Sequence, residues 1–234
     1  MTLDELKQFD LQLFQPRHGY RYSLDPLLLT RFCAQPPSGG RIIDLGAGCG
    51  IISLLLARMN PAVSVVAVEN NPEMAALVER NIQHNDLAGR VSLHVGDVVD
   101  LCNTFPVSSF DLVVSNPPFR TARSGKISPH TGRDTARHET TAGLADFLAA
   151  AKYLVKPTGR ICFIQLPSRL PEFMSLASEM KLSLLRLRMI HSNAGSPATM
   201  FMAELAKGRR CSVVVEPPLF VRDMNGEYAE ELRW

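Results

Sequence analysis

The chain has 234 residues, 46% of them hydrophobic and 21% charged, with a formal net charge of +2. That length supports one sizeable core and falls short of two full domains. The composition is that of a globular protein, no apolar run approaches the ~18 residues of a membrane span, and so weak a net charge means that a nucleic-acid partner must be held by a local basic patch. The five cysteines (Cys33, Cys49, Cys102, Cys162, Cys211) are scattered without a C-x-x-C pair. They point to a reducing compartment and against a disulfide framework or a zinc site. The first ten residues carry Asp4, Glu5 and Asp10 and no apolar signal core, so the expected location is cytoplasmic, without membrane or metal.

Taken in order, Leu3 to Phe9 reads as a short helix. From Gln15 to Pro26, Arg17 and Arg21 alternate with Tyr20 and Tyr22. Stacking rings beside positive charge suit a single-stranded nucleic acid, and the same alternation also fits a hairpin or an extended lid. Asp25 is a candidate N-cap with Pro26 at the first helical position, opening an apolar helix from Leu27 to Cys33. Pro36-Pro37-Ser38-Gly39-Gly40 is a linker, which divides the chain into an N-terminal extension (1–38) and a single main domain (39–234).

Arg41 to Leu45 is a predicted strand, followed by Gly46-Ala47-Gly48-Cys49-Gly50 and an apolar helix from Ile51 to Met59. Glycines here allow a sharp turn and close approach of backbone to ligand. The spacing is G-x-G-x-G, because Ile51 stands where the dinucleotide fingerprint needs its last glycine. A second strand, Val63 to Val68, ends in Glu69, about twenty residues past the glycines, where an acid can grip a ribose diol. Pro72 to His84 is an amphipathic helix with Met74, Leu77, Val78 and Ile82 on one face. A third strand, Val91 to Gly96, ends in Asp97, whose carboxylate can accept from an adenine amino group. Asp44, Glu69 and Asp97 at successive strand ends around a glycine loop suit a positively charged nucleoside without phosphate, which describes S-adenosylmethionine. The candidate cofactor set is Asp44, Gly46, Gly48, Gly50, Glu69, Asn70, Asp97, Val98 and Asn116.

Phe110 to Ser115 is a short buried strand that runs into Asn116-Pro117-Pro118-Phe119. The four residues alone also fit a proline-rich turn. Their chemistry suits methylation of a planar amino group, whose lone pair is delocalised and must be drawn out of conjugation. Asn116 offers a side-chain carbonyl, Pro117 and Pro118 offer backbone carbonyls without N–H groups, and Phe119 can stack on a flat group. The next stretch, 120–140, is polar and irregular, with Arg120, Arg123, Lys126, Arg133 and Arg137 against Asp134 up to His138. A loop of this length is uncommon unless functional or disordered, and its charge matches phosphate. Thr140 to Val155 reads as a helix broken by Lys156-Pro157-Thr158-Gly159. Arg160 to Leu166 is a fifth strand, Leu170 to Met180 a helix, and Leu182 to His191 and Met200 to Lys207 a closing strand pair. Cys211 to Val215 is strand-like, and Asn225-Gly226 is a hairpin signal.

Asp44-Leu45-Gly46-Ala47-Gly48-Cys49-Gly50, Glu69, Asp97 and Asn116-Pro117-Pro118-Phe119, in this order, resemble the amino-methylating branch of the class I S-adenosylmethionine-dependent methyltransferases. Gly19 to Leu29, Arg137-His138-Glu139 and Asn225-Gly226-Glu227-Tyr228 extend the resemblance over nearly the whole chain, to the bacterial tRNA1(Val) adenine-37-N6 methyltransferase family. The resemblance implies a doubly wound α/β sheet, mostly parallel, whose last strand is antiparallel. It implies S-adenosylmethionine as cofactor and tRNA as partner, with Asn116, Pro117, Pro118 and Phe119 at the chemistry and Arg17, Arg21, Arg120, Arg123, Lys126 and Arg137 on the RNA. Release-factor glutamine methyltransferases and ribosomal guanine methyltransferases share the Asn-Pro-Pro motif. The first carry a separate N-terminal helical domain and the second usually a degenerate second domain, and about forty residues precede the first core strand here. A nucleoside-sensing or RNA-binding module on the same fold is the non-enzymatic alternative.

Overall fold

The computed structural model describes residues 1–17, 24–33, 38–118, 142–208, 212–223 and 225–232. Two strands, β1 (Thr2–Leu6) and β2 (Leu11–Gln15), form an antiparallel hairpin of their own. The remaining nine strands make one sheet: β3 (Arg41–Leu45), β4 (Ser64–Glu69), β5 (Val91–Val95), β6 (Phe110–Ser115), β7 (Val155–Gln165), β8 (Leu182–His191), β9 (Ala198–Lys207), β10 (Val214–Val215) and β11 (Leu219–Phe220). Their spatial order is β10-β8-β9-β7-β6-β3-β4-β5, with β11 also on β8. Strands β3 to β7 are mutually parallel, and β9 runs antiparallel to both its neighbours, β7 and β8. This is the doubly wound sheet expected from the sequence.

The strands are apolar on both faces, as parallel strands covered by helices must be. Ile42, Val65, Ala67, Leu112, Val114, Cys162 and Ile164 pack towards α1 (Asp25–Phe32), α2 (Ile51–Met59) and α3 (Pro72–His84). Ile43, Val68, Val113, Ile161 and Phe163 alternate with them and pack towards α4 (Leu144–Leu154) and α5 (Leu170–Glu179). In that second layer Phe173 packs tilted against Phe163 and edge to face against Phe201, with ring centroids 5.8 and 5.4 Å apart. On β9, Glu204 bridges Arg160 of β7 (3.0 Å) and Arg186 of β8 (2.5 Å), so the strand is pinned to both neighbours by charge as well as by its ladders. No described helix is long and apolar enough to cross a membrane.

Several expected boundaries shift. Leu3 to Phe9 is not a helix: β1 pairs with β2, and only Lys7–Phe9 makes a 3-10 turn, closed by Asp10 at φ 50. Cross-strand pairing and burial of Leu6, Leu11 and Leu13 in the first layer decide the state of a stretch whose local preference is weak. Asp25 lies inside the first turn of α1 and not at its N-cap, which is Leu24. The helix expected from Thr140 begins at Leu144, where the Gly143 N–H donates to the Asp146 carboxylate (2.8 Å). Strand β7 begins at Val155, ahead of the expected Arg160, because Val155 pairs with Phe110 before a register shift. Of the strand-like stretch from Cys211 to Val215, Val214–Val215 form a strand, and Cys211 lies outside the described residues. Arg222 and Tyr228 bridge across the Asn225-Gly226 turn, as its sequence predicts.

Candidate active site

Strand β3 has β4 on one side and β6 on the other, so the chain winds outward in one direction and then returns. Ligands of open α/β sheets sit where the winding reverses, beyond the carboxyl ends of the strands. The glycine loop leaves β3 there, and Asn116-Pro117-Pro118 leaves β6. A cavity of about 660 Å³ opens at this place. Of the residues singled out in the sequence, Gly46, Gly48, Glu69, Asn70, Asp97, Val98, Asn116, Pro117 and Pro118 line it.

The loop is built by backbone geometry. Gly46, Gly48 and Gly50 have φ of 73, 59 and 87°. At Gly46 the approach is also close, because a Cβ would come within 3.2 Å of the Phe147 ring, which itself lines the cavity. The Gly46 and Ala47 N–H groups donate to the Val68 carbonyl (3.0 and 2.8 Å), tying the loop to the end of β4. Gly50 is not in the cavity wall; it caps α2, where an added Cβ would meet Val78 at 3.3 Å.

The acids differ in what they do. Glu69 is 8% exposed, and its two oxygens accept from the Gly48 N–H (2.7 Å) and the Asn71 N–H (2.9 Å). It therefore joins the glycine loop to the start of α3 while lining the cavity. Asp97 accepts from Asn70 Nδ2 (3.1 Å) and from the Val99 N–H (3.2 Å), so Asn70 orients it. Asp44 does not line the cavity. It is fully buried behind the loop, where Ser53 Oγ donates to its Oδ2 (2.7 Å) and its Oδ1 has no protein partner. Burial pushes its carboxyl up to about 7; the Ser53 hydrogen bonds oppose the rise and the Glu69 charge adds to it.

This raised value has a testable consequence. A carboxyl protonated more readily in the folded state than in the unfolded one stabilises the fold at low pH, and that contribution is lost as pH rises from about 4 to about 7. Ligand-free Asp44→Asn should lack this component, so its thermal midpoint relative to the parent should rise across that window. A constant difference between the two midpoints from pH 4 to pH 7 would refute the assignment.

Asn116 is half-buried, and its Oδ1 is buried without a hydrogen-bond partner among the described residues. Pro117 behind it is buried and Pro118 is exposed. A buried acceptor of this kind costs free energy unless a donor meets it, so a ligand amino group is a fitting partner. Arg17 is exposed and follows Pro16, which lines the cavity. Phe119, Arg21, Arg120, Arg123, Lys126 and Arg137 lie outside the described residues. Sequence reasoning missed Ser53, Asn71, Met74, Ala142 and Phe147. Ser53 carries a partial signal, since a serine inside an otherwise apolar helix calls for a buried partner. Asn71 ahead of Pro72 is an N-cap pattern, and its Oδ1 indeed accepts from the Glu73 and Met74 N–H groups (2.9 and 3.2 Å).

The same fold is found in solved structures. A predicted O-methyltransferase of Agrobacterium tumefaciens superposes with a TM-score of 0.72 at 22% identity, over 88% of this chain and 92% of that one. A SAM-dependent methyltransferase of Aquifex aeolicus gives 0.56 at 15% identity, over 77% and 88%. Residues 25–169 match the family model described as the methyltransferase small domain. Among curated proteins, the tRNA1(Val) (adenine(37)-N6)-methyltransferase of Porphyromonas gingivalis is 32% identical over 77% of this chain and 71% of its own. The protein of the same name from Shewanella loihica is 28% identical over 92% and 89%. A glycine loop held by Glu69, an asparagine acceptor held open at the switch point, and these matches agree: the chain belongs to the methyltransferase small domain family and, within it, to the tRNA1(Val) (adenine(37)-N6)-methyltransferases.

Proposed function

We propose that this chain methylates the N6 amino group of an adenine in the anticodon loop of a valine tRNA, adenine 37 in the names of its relatives, with S-adenosylmethionine as donor. The observation that carries the reading is the buried, unpartnered Asn116 Oδ1 in the wall shared with Glu69 and Asp97. The residues present fit the cofactor. Glu69 can hold a ribose diol, Asp97 an adenine amino group, and the acids together suit a cation. When bound, the cofactor supplies an electrophilic methyl on a sulfonium.

The protein supplies position. Asn116 Oδ1 accepts a hydrogen bond from the target amino group, and the carbonyl of Pro117, which also lines the cavity, accepts a second. Two such acceptors on one NH2 would hold its lone pair out of conjugation, where it can attack. Neither proline has an N–H to compete for them, and the ring constraint keeps both carbonyls stiff. Most of the rate gain in such a site comes from alignment and preorganised acceptors. The adenine must leave its stack to arrive, which costs less from a loop than from a duplex. Residues 39–234 act as one catalytic unit, and Phe119 stacks on the base. Arg17, Arg21 and the basic stretch Arg120, Arg123, Lys126 and Arg137 hold RNA phosphates.

Methyl transfer from labelled S-adenosylmethionine into a total bacterial tRNA pool, followed by nucleoside analysis, tests the reading. Label in N6-methyladenosine of valine tRNA is the expected result, and label elsewhere or none overturns it. In the binding arm of the same experiment, the triple variant Arg120→Ala, Arg123→Ala, Lys126→Ala should show a salt slope reduced by roughly 0.9 per lost phosphate contact. An unchanged slope would move the RNA contacts to Arg17 and Arg21.

A further inference from the structure

The N-terminal hairpin is attached to the domain by an arrangement that the methyl-transfer chemistry does not require. Strand β2 turns one edge to β1 and the other to α3, where its free backbone groups need partners. Two asparagines of the α3 segment supply them. The Gln12 N–H donates to Asn85 Oδ1 (2.8 Å), and Asn85 Nδ2 donates to the Gln12 carbonyl (2.7 Å). The Phe14 N–H donates to Asn81 Oδ1 (2.7 Å), and Asn81 Nδ2 donates to the Phe14 carbonyl (3.0 Å). The match is geometric. Four residues of α-helix rise about 6 Å, close to the two-residue step of about 6.8 Å along a strand, so amides at i and i+4 meet alternate strand residues. Arg80 and His84 grip the Phe14 side chain from the same helix, the guanidinium 3.8 Å from the ring centroid.

Asn81 does one thing that Asn85 does not. It is fully buried, and its Nδ2 also donates to the Cys49 carbonyl in the glycine loop (2.9 Å). Cys49 lines the cavity, and so does Pro16, two residues after Phe14. One side chain therefore fixes two walls of the site: the loop between β3 and α2, and the end of the hairpin as it enters the segment leading to Arg17.

We infer that Asn81 is a positioning residue, which locks the glycine loop to the N-terminal hairpin and so sets the cofactor cavity from both sides. Through it, a ligand that orders the loop also orders the hairpin strand next to the proposed RNA entrance. This inference rests on the proposed S-adenosylmethionine site.

Asn85 provides the control, because Asn85→Ala releases the hairpin at Gln12 without touching the loop. Calorimetric titration of S-adenosylmethionine should show Asn81→Ala weakened about tenfold, about 1.4 kcal/mol, within the range for a lost buried hydrogen bond. Asn85→Ala should stay within about twofold of the parent even where its thermal midpoint falls as far. Equal losses of affinity in the two variants, in proportion to their losses of stability, would reduce Asn81 to a fold-stabilising residue and overturn the inference. Should Asn81→Ala not fold, the parent protein decides. Saturating cofactor should slow amide exchange at Phe14 and leave Gln12 little changed, and an unaltered Phe14 overturns the inference. A parent chain that fails to bind the cofactor at all speaks against the functional reading instead, so the two failures are distinguishable.

Discussion

Asn116→Ala should lower the single-turnover rate of methyl transfer by ~100-fold or more, the size of effect seen when one preorganised polar group is removed from a reacting centre. Its effect on folding should have the opposite sign or none. Asn116 Oδ1 is buried and makes no hydrogen bond to a described residue, so deleting it removes a desolvation penalty. The thermal midpoint should therefore hold or rise while the rate collapses. Affinity for tRNA should change little, because phosphate contacts dominate it. A variant that loses affinity and keeps its rate would show that Asn116 binds substrate without aligning it. One that loses stability would show that Oδ1 has an internal partner after all.

Glu69→Ala should weaken S-adenosylmethionine binding by about 1–3 kcal/mol. Two losses combine. The ribose loses a charged acceptor, and the Gly48 and Asn71 N–H groups, which donate to the carboxylate, lose theirs, so the loop and the start of α3 come apart. A cofactor analogue lacking the ribose hydroxyls separates the two. In the parent, the analogue should bind more weakly than the natural cofactor. In Glu69→Ala the two ligands should bind nearly alike, since the group that told them apart is gone. If the analogue's deficit survives in the variant, Glu69 supports the loop and another residue reads the ribose.

The parallel core was legible because its signals are local. The stretches Arg41–Leu45, Ile51–Met59, Pro72–His84, Phe110–Ser115 and Leu182–His191 have the boundaries that their periodicity and flanking residues predict. The cavity's membership was legible for the same reason, since strand ends in an α/β sheet share one edge. Partners were not. Nothing in the spacing of Asn81 says whether it is a solvent-facing polar residue or a buried clamp, because that depends on which strand faces the helix. The first strand misled for a related reason: Leu3 to Phe9 has no strong preference of its own, and its state is decided by pairing with Leu11–Gln15. Asp44, expected among the cofactor contacts, was placed too far forward, since it does not line the cavity. A carboxylate at a strand end can face the ligand or the helix behind it, and the 0% exposure with Ser53 at 2.7 Å shows that it takes the second course.

Strand β9 enters the middle of the sheet although it is formed from residues near the end of the chain. A ribosome releases the glycine loop, the acids and Asn116 long before Ala198–Lys207, yet β7 cannot be covered on its outer edge, nor β8 joined to the rest, until that late segment inserts between them. The nascent protein thus holds a nearly complete ligand cavity on a sheet with a long open edge, the state in which parallel-sheet proteins are most exposed to wrong pairing. The edge is closed by Phe201 against Phe173 and by Glu204 between Arg160 and Arg186. Synthesis that stalls short of residue 198 leaves a chain that carries the glycine loop, the acids and Asn116 and lacks the strand that covers β7.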